Sequence, residues 1–200
     1  MPFLTTVDIS FSLTAPTILV RIALWIVLAY RRVRYGYTFR RIKLTRGKFA
    51  LVDPDDFERL NQHKWYCTKS GYAKRAVKNK SGKGPKQVTI CMHNLICPVP
   101  EGMLVDHKNR NRLDNRKANL RPATEKQNIW NRKIPRKMGI TRFTVIYWDK
   151  KVKKWRVTLK VGKQHRGFGV YTDEIEAAKV YDKVAKEYRG EFAVLNFPEK

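Results

Sequence analysis

The stretch VDHKNRNRLDNRKANLRPATEKQNIW, residues 105–130, holds the most informative side chains of the chain. Asp106 offers a hard carboxylate oxygen of the kind that Mg²⁺ prefers. His107 has an ordinary pKa of about 6.5, so its imidazole can accept a proton from water near neutral pH. Adjacent residues of an extended segment point to opposite sides, which would aim the two groups at different parts of one site. We therefore regard this pair as a candidate metal ligand and a candidate general base.

A second oxygen ligand is expected from the helix that follows this segment. Thr124 and Gln127 have the spacing of a capping box, which predicts that a helix begins there. Asn128 then lies in the first turns, where its amide oxygen can meet Asp106 at a shared cation. One metal and one base suffice to hydrolyse a phosphodiester. An Asp-His pair or a helical Asn is more often structural or solvated, so the prediction depends on the whole pattern.

The pattern resembles the HNH endonuclease family over roughly residues 42–133. The residues that carry the resemblance are the Asp106-His107 pair, Asn115 in LDN, Asn119 in ANL, and Asn128. At the last of these positions the family frequently has His instead of Asn. The resemblance implies the ββα-metal fold of these nucleases. It also implies that Asp106 and Asn128 bind a divalent metal, for which Mg²⁺ is the expected ion and Mn²⁺ the alternative.

The same resemblance implies roles for the other site residues. By it, His107 is the general base, Asn119 holds the surrounding loop through hydrogen bonds to backbone, and Asn115 is a structural turn residue. His93, in MHNLI, stands where related nucleases carry a His before Leu. A contact with phosphate, support of another site residue and simple packing all stay open for His93, since a lone His is usually structural.

Net charge predicts a polyanionic partner. The chain has 43 Lys and Arg against 17 Asp and Glu, a formal net charge of +26, and residues 59–100 contain nine Lys or Arg and no acid. Such an excess favours contact with a phosphate backbone. Nucleic acid is the first expectation, and a membrane surface or the ribosome is the second. A solvated basic face without a partner is the remaining interpretation.

Upstream of residue 105 the chain alternates between strand and turn patterns. A short apolar strand is predicted around Phe49–Val52, with turn chemistry at Asp53-Pro54 and a brief helix after it. Two more strands, at residues 71–77 and 87–91, flank the segment KNKSGKGP. This segment is predicted to be a hairpin loop whose lysines can reach a phosphate backbone.

Residues 1–40 receive no assigned role. The run ILVRIALWIVLAY, residues 18–30, superficially resembles a membrane anchor, but Arg21 interrupts it and a spanning helix needs about 20 apolar residues. No positive charge precedes Arg21 and no small-residue cleavage site follows the run, so a secretory signal is not expected. A non-native or upstream-extended leader, an amphipathic or anchoring helix, and a packed helix stay open.

The number and spacing of the cysteines indicate the redox state of the expected compartment. There are 3, without any C-x-x-C pair, so neither a disulfide framework nor a zinc knuckle is predicted. A reducing compartment is the simpler expectation, either the cytoplasm or a host nucleoid. Membrane anchoring through residues 18–30 is the alternative.

A strand-rich unit is predicted after the basic linker at residues 134–137. Strict alternation in KWRVTLKV, residues 154–161, predicts a strand with one apolar and one cationic face. Flanking strands at 143–148 and 164–171 complete a three-stranded antiparallel sheet. A helix beginning at Thr172 or Asp173 and ending at Gly190 follows it. Its predicted apolar stripe consists of Ala177, Ala178, Tyr181, Val184, Ala185 and Tyr188.

This helix is expected to cover the apolar face of the sheet. The other face is then free to enter the major groove of DNA. The side chains expected on that free face are Arg156, Thr158, Lys160, Lys163 and Arg166. Alternation alone also fits a generic solvated sheet face.

Residues 138–198 resemble the DNA-binding domain of plant APETALA/ethylene-response-factor proteins. The resemblance lies in KWRV at 154–157, FGVYTD at 168–173 and EAAKVYDKVAKEYRGEFAVLNFP at 176–198. It implies that the sheet docks on duplex DNA. Residues 138–142, MGITR, lack the Gly-Val-Arg that the family usually has, and Thr158 stands where an acid is common. The base preference of that family therefore does not carry over.

Together these patterns predict an α+β protein with two small domains. A leader at 1–40 precedes an HNH nuclease domain at 41–134 and a DNA-binding domain of the APETALA type at 135–200. The expected activity is homing-endonuclease-like, as in mobile elements and phages, with one nick per active site. The expected partner is double-stranded DNA, bound by a monomer or homodimer without a small-molecule cofactor. The alternatives are a non-catalytic DNA-binding regulator with a degenerate nuclease fold and a basic RNA- or ribosome-associated protein.

Overall fold

The structure is a computed structural model that describes residues 17–79, 84–132, 141, 143 and 145–198. Helices are mixed with small antiparallel sheets, so the predicted α+β class is confirmed. The elements follow one another as α1 (Thr17–Tyr35), β1 (Arg40–Lys43), β2 (Phe49–Val52), α2 (Pro54–Asn61), β3 (Tyr66–Cys67), β4 (Ala73–Lys78), β5 (Gln87–Cys91), α3 (Met92–Ile96), β6 (Leu104–His107), β7 (Leu120–Ala123), α4 (Glu125–Trp130), β8 (Ile146–Asp149), β9 (Lys154–Val161), β10 (Gln164–Tyr171) and α5 (Glu174–Arg189).

A first hydrophobic core lies beneath the elements from β1 to β7, and we call it the first core. Its largest fully buried apolar side chains are Ile42, Val52, Leu60 and Met92. The antiparallel pair β1–β2 forms one side of it, and α2 packs against β1. This helix begins as predicted, because Asp53 takes the extended conformation of an N-cap and a proline fits the first helical turn.

Strand β2 also holds the loop that carries the candidate site. The amide of Leu51 donates to the carbonyl oxygen of Leu113 at 2.7 Å, and the amide of Asn115 donates back to the carbonyl oxygen of Leu51 at 2.8 Å. This short parallel bridge fixes the loop after β6 to the middle of a buried strand. The site therefore rests on the first core through main-chain hydrogen bonds.

The hairpin of β4 and β5 is antiparallel, with Lys78 paired to Gln87, which confirms the two strands predicted there. The first strand begins at Ala73, two residues later than predicted. Residues 80–83 of the predicted loop lie outside the described residues. Strand β1 was not predicted, because RRIK has three basic residues in four and shows little apolar alternation.

Helix α1 lies in the segment for which three interpretations were left open. It forms a regular helix of 19 residues, none of which is buried. Across the described part of the chain, every helix is too short or too polar to reach from one side of a membrane to the other. Residues 1–16 lie outside the described residues.

The second core lies between the sheet β8–β9–β10 and α5. The sheet is antiparallel in this order, and Val157, Leu159 and Tyr181 are fully buried between the two layers. The predicted three-stranded sheet covered by one helix is therefore confirmed. Asp173 is the N-cap of α5 and Gly190 its C-cap, as predicted. Strand β8 begins at residue 146 instead of 143.

The register of β9 and β10 corrects part of the predicted free face. A two-residue turn pairs Val161 with Gln164 and so places Arg166 opposite Leu159, on the face that α5 covers. His165 instead lies opposite Lys160. The face predicted for Arg166 is therefore wrong, because that face follows from pairing with β9 across the turn and not from the residues of β10 alone.

Two further side chains differ from the prediction. Arg156 is on the predicted face but is not free, since its guanidinium donates to Asp149 Oδ2 at 2.7 and 2.9 Å. Tyr188 is exposed, and its ring meets that of Phe168 edge-on at 5.7 Å, beyond the buried part of the stripe. The linker at 134–137 and residues 138–140 lie outside the described residues, so the domain boundaries stay predictions.

Candidate active site

The hairpin of β6 and β7 carries the Asp-His pair. Its antiparallel register places Asp106 opposite Arg121 and His107 opposite Leu120. Both members of the pair are buried, at 4% exposed each. Buried ionisable groups have to be paired or hydrogen-bonded, so the neighbours of this pair determine its chemistry.

The loop after β6 is closed by the side chain of Asn119. Its amide nitrogen donates to the carbonyl oxygen of Asp114 at 2.7 Å, and its amide oxygen accepts from the backbone amide of Asn109 at 2.9 Å. The backbone contacts that the sequence analysis expected of Asn119 are thus present. A role of these contacts in catalysis stays a prediction.

A buried ion pair stiffens the same loop. The guanidinium of Arg116 donates to both carboxylate oxygens of Asp114 at 2.7 Å each, and Asn109 Nδ2 adds a third hydrogen bond at 2.8 Å. Burial raises the pKa of Asp114, but the hydrogen bonds and charge of Arg116 outweigh it and lower that pKa overall. The carboxylate stays ionised at neutral pH, and its charged hydrogen bonds stabilise the loop.

The imidazole of His107 lies in a small group of polar rings. His93 meets it edge-on with ring centroids 5.1 Å apart, and Tyr72 lies 6.0 Å from it. The Nε2 atom of His107 is 3.4 Å from Asn115 Oδ1. Asn115, predicted to be only a turn residue, is therefore also the neighbour of the candidate base.

Burial sets the protonation of both histidines. Desolvation lowers the pKa of His107 below its ordinary 6.5, against the opposing effects of the hydrogen bond that its ring donates to Asn115 Oδ1 and of the charge of Asp106. For His93, desolvation and then the neighbouring His107 lower the pKa to about 4. Both rings are therefore neutral at pH 7, and a neutral ring can accept a proton.

Asp106 has two neighbours that the sequence analysis missed. Arg121 donates through Nε to Asp106 Oδ2 at 2.9 Å, with a second guanidinium nitrogen also at 2.9 Å. The amide nitrogen of Asn131 lies 2.9 Å from each carboxylate oxygen and donates to the carbonyl of His107 at 2.8 Å. The spacing of Asn128 and Asn131, one helical turn, was a usable sequence signal, whereas the pairing with Arg121 required the hairpin register.

Helix α4 brings Asn128 to the same place. Thr124 caps it as predicted, because its hydroxyl accepts from the backbone of Gln127 at 3.2 Å and the Gln127 side chain accepts from the backbone of Thr124 at 2.8 Å. The structure gives the Asn128 side chain no hydrogen-bond partner among the described residues. Its amide oxygen is thus available to a ligand.

One cavity joins these groups. It has a volume of about 690 Å³, and Asp106, His107 and Asn128 all line it, together with Asn131. Six cationic side chains also line it, namely Arg46, Lys48, Lys69, Arg110, Arg112 and Arg132. Asp106 is the only acid in this lining. The cavity therefore has a mostly cationic lining with one carboxylate. Such a lining suits a large anionic ligand.

The donor set fits a hard divalent cation. Asp106 Oδ2 accepts from Arg121, but among the described residues Oδ1 accepts only from Asn131 and keeps a lone pair for a metal. A carboxylate and an amide oxygen are ligands that Mg²⁺ accepts, with water and phosphate oxygens completing its shell. Among the described residues no three His, Cys, Asp or Glu cluster as a metal site. The set matches an open Mg²⁺ or Mn²⁺ site better than a closed zinc site.

The residues predicted to bind DNA lie apart from this cavity, on the sheet β8–β10. Lys160 is exposed and Thr158 half-buried on the face away from α5, while Lys163 is exposed in the turn between β9 and β10. None of them lines the cavity. Their role in binding stays a prediction.

Comparison with known proteins identifies the family of this chain. A family model described as HNH endonuclease matches residues 96–129, the segment from α3 into α4. The chain is 33% identical over 154 residues to a protein of Acanthamoeba polyphaga mimivirus named uncharacterized HNH endonuclease L560, and the alignment covers 76% of each chain. It is 34% identical over 97 residues to Protein 3.8 of Escherichia phage T7, which covers 48% of this chain and 78% of that protein. The chain belongs to the HNH endonuclease family.

Proposed function

We propose that this protein is a metal-dependent endonuclease that hydrolyses phosphodiester bonds in DNA, with one nick per active site. The observation that carries the proposal is one cavity that Asp106, His107 and Asn128 line together with six Lys and Arg side chains. Membership of the HNH endonuclease family and the name of the mimivirus relative support it. The ββα-metal arrangement of that family is part of this proposal.

In the proposed site Asp106 and Asn128 hold the cation. When bound, a Mg²⁺ or Mn²⁺ ion would neutralise charge on the scissile phosphate and stabilise the leaving oxygen. The cationic lining of the cavity holds the flanking phosphates, since each Lys or Arg can replace a condensed counterion. Asn119 acts through the loop that it closes and does not touch the reacting atoms.

His107 removes the proton from the attacking water. An amide oxygen only accepts hydrogen bonds, so the contact with Asn115 Oδ1 selects the tautomer that is protonated on Nε2. Nδ1 is then the basic nitrogen. Because burial lowers the pKa of His107, this nitrogen is unprotonated at neutral pH and ready to accept.

The sheet β8–β10 provides the second DNA contact of the proposal. Its likeness to the APETALA/ethylene-response-factor domain supports docking on duplex DNA through the face of Thr158 and Lys160 and the turn at Lys163. Arg156 contributes less, since Asp149 already neutralises it.

Relaxation of supercoiled plasmid tests the catalytic proposal. The wild type should nick the plasmid with Mg²⁺ or Mn²⁺ and leave it intact in EDTA. His107→Ala should lower the rate by about 10²-fold or more, as loss of a general base does. His63→Ala, a histidine on the exposed surface, is the matched control and should nick at the wild-type rate. Specific duplex binding without any nicking would favour the non-catalytic regulator instead.

Binding to a short duplex in EDTA tests the docking surface separately. Lys160→Gln should weaken binding and lower the slope of log affinity against log salt by about 0.9, the value for one phosphate contact. Lys179→Gln, an exposed lysine of α5, is the control and should change neither quantity. Equal effects of the two variants would remove the sheet face from the proposal.

A further inference from the structure

Arg121 is the only buried cation that touches the Asp106 carboxylate among the described residues, and it also contacts a turn next to the second core. Its guanidinium donates to Asp106 Oδ2 at 2.9 Å on one side. On the other side it donates to the backbone oxygen and to Oε2 of Glu191, each at 3.0 Å. One planar group thus joins a candidate metal ligand to a residue 70 positions later in the chain.

The far partner belongs to a short 3-10 turn, Gly190–Phe192, that directly follows α5. The ring of Phe192 is buried, and the guanidinium of Arg121 lies 3.7 Å from its centre. Nearby, Trp130 of α4 lies 5.8 Å from the guanidinium of Arg189, at the end of α5. The turn is therefore seated on the candidate site by a cation–π contact and by hydrogen bonds.

The charges at this junction bear on metal affinity. A guanidinium bound to Asp106 competes with any cation for the same carboxylate, because both are attracted by one negative charge. Glu191 shares that guanidinium and draws part of its charge away from Asp106. Removing the Glu191 charge would leave Asp106 as the carboxylate partner of Arg121 among the described residues. The site would then be more positive.

We propose that Arg121 is a positioning residue for the Asp106 carboxylate, and that Glu191, supplied by the turn after α5, raises the affinity of this carboxylate for a divalent metal. The proposal rests on the proposed function above, since it takes Asp106 as a metal ligand. It couples the element that covers the proposed DNA-docking sheet to the chemistry of the nuclease site. The coupling is modest, because the Glu191 side chain is 67% exposed and solvent screens its charge.

Calorimetric titration of the metal-free protein with Mn²⁺, in the absence of DNA, measures this coupling directly. Glu191→Gln should weaken Mn²⁺ binding about two- to fivefold, the range expected for a partly exposed ion pair. Glu191→Lys should weaken it further, since it adds a repelling charge. Glu187→Gln removes the same charge from an exposed position of α5 and is the matched control, with affinity expected within about 1.5-fold of wild type.

Nicking assays separate positioning from general damage. The Mn²⁺ concentration for half-maximal nicking should rise in Glu191→Gln, while the rate at saturating Mn²⁺ stays that of the wild type. Arg121→Lys keeps the charge but lacks the planar fork that bridges two carboxylates, so Glu191→Gln should have a smaller effect in that background. Should Arg121→Lys not fold, the comparison of Glu191→Gln with Glu187→Gln carries the test alone.

The outcomes distinguish the two proposals. If the wild type binds Mn²⁺ and nicks DNA but Glu191→Gln and Glu191→Lys bind Mn²⁺ as tightly as it does, the coupling is overturned and the proposed function stands. If the wild type neither binds Mn²⁺ nor nicks, the proposed function fails first and the coupling with it. Equal weakening by Glu191→Gln and Glu187→Gln would reduce the effect to net charge and overturn the specific role of Glu191.

Discussion

Both cores of this protein are apolar, but only the first has a network of buried polar groups beside it. All ten buried polar or charged residues within the described ranges lie between Asp56 and Asn131, around the first core and the candidate site. The second core is built from aliphatic side chains, alanines and Tyr181. A buried polar network keeps its shape only while each member is paired, whereas an apolar core depends mainly on filled volume. In the region that carries the site, the free energy of unfolding should therefore fall on loss of a single charge. In the sheet region it should fall on loss of buried apolar volume.

The largest expected effect on stability comes from Asp114→Ala. It leaves the Arg116 guanidinium buried, where both carboxylate oxygens bound it at 2.7 Å. Breaking a buried ion pair on one side costs about 3–5 kcal/mol. Urea unfolding followed by circular dichroism at pH 7 measures the loss.

An equivalent pair in the other region sharpens this test. Asp149→Ala removes the carboxylate that Arg156 binds from two nitrogens, but Arg156 stays partly open to water. Solvent compensates the lost partner there, so the change in unfolding free energy should be much smaller than for Asp114→Ala. Equal losses in the two variants would contradict the contrast between the buried ion pair of the site region and the more exposed pair of the sheet region.

The apolar core should be sensitive to Leu159→Ala. This side chain is 1% exposed between β9 and α5, and its truncation should cost about 2–5 kcal/mol through lost burial and a cavity. Val170→Ala, in the neighbouring strand but 38% exposed, should change stability by about 0.5 kcal/mol or less. Urea midpoints of both variants against wild type check the prediction, and a cost below about 1 kcal/mol for Leu159→Ala would mean that the sheet and helix are not closely packed.

Acid should weaken the site region before it affects the second core. The pKa of His93 is about 4 in the folded protein and about 6.5 when unfolded, so between these values the unfolded chain binds more protons. The contribution of His93 to the free energy of unfolding is fully present above pH 6.5. It is lost as the pH falls toward 4, and this loss amounts to about 3 kcal/mol at most. Urea midpoints in EDTA from pH 7 to pH 4 give the slope.

Two histidine variants locate the source of that slope. His93→Gln removes the titrating group and should flatten the pH dependence, leaving the contribution of His107, whose pKa is lowered in the same direction. His63→Gln changes an exposed ring and should leave the slope as in wild type. An unchanged slope in His93→Gln would show that other groups control the acid response.

How much could be predicted from the sequence differs between the two regions. In the sheet region, alternation in KWRVTLKV and the acids before α5 were enough, because strand period and helix capping are local properties. The prediction for Arg166 was wrong, because its face follows from pairing across the turn: strands 154–161 and 164–171 leave two residues between them, which sets Arg166 opposite Leu159. Register is decided between strands, so one strand's sequence does not contain it.

In the site region the motif residues were found, but their partners were not. Asp106, His107 and Asn128 could be chosen by chemistry and spacing, and the structure gathers them at one cavity. Arg121 and Glu191 could not, because their contacts join segments that are distant along the chain. The motif alone predicts which atoms could react, whereas tertiary packing decides which charges surround them.

The smallest effect concerns two helix caps, one in each region. Thr124→Ala removes the hydroxyl that accepts from Gln127 in α4, and Asp173→Ala removes the carboxylate that accepts from Glu176 in α5 at 2.8 Å. Each should cost about 1 kcal/mol in urea unfolding. Their effects on metal-dependent nicking should differ.

The difference arises because α4 is only six residues long and carries Asn128 next to its cap, whereas the cap of α5 lies at the end away from Glu191. Fraying of α4 would displace a proposed metal ligand in molecules that are otherwise folded. Thr124→Ala should therefore raise the Mn²⁺ concentration needed for half-maximal nicking about twofold or more, in proportion to the frayed fraction, while Asp173→Ala leaves it as in wild type. Equal Mn²⁺ requirements in the two variants, at equal loss of stability, would mean that the first turn of α4 does not hold Asn128 in place.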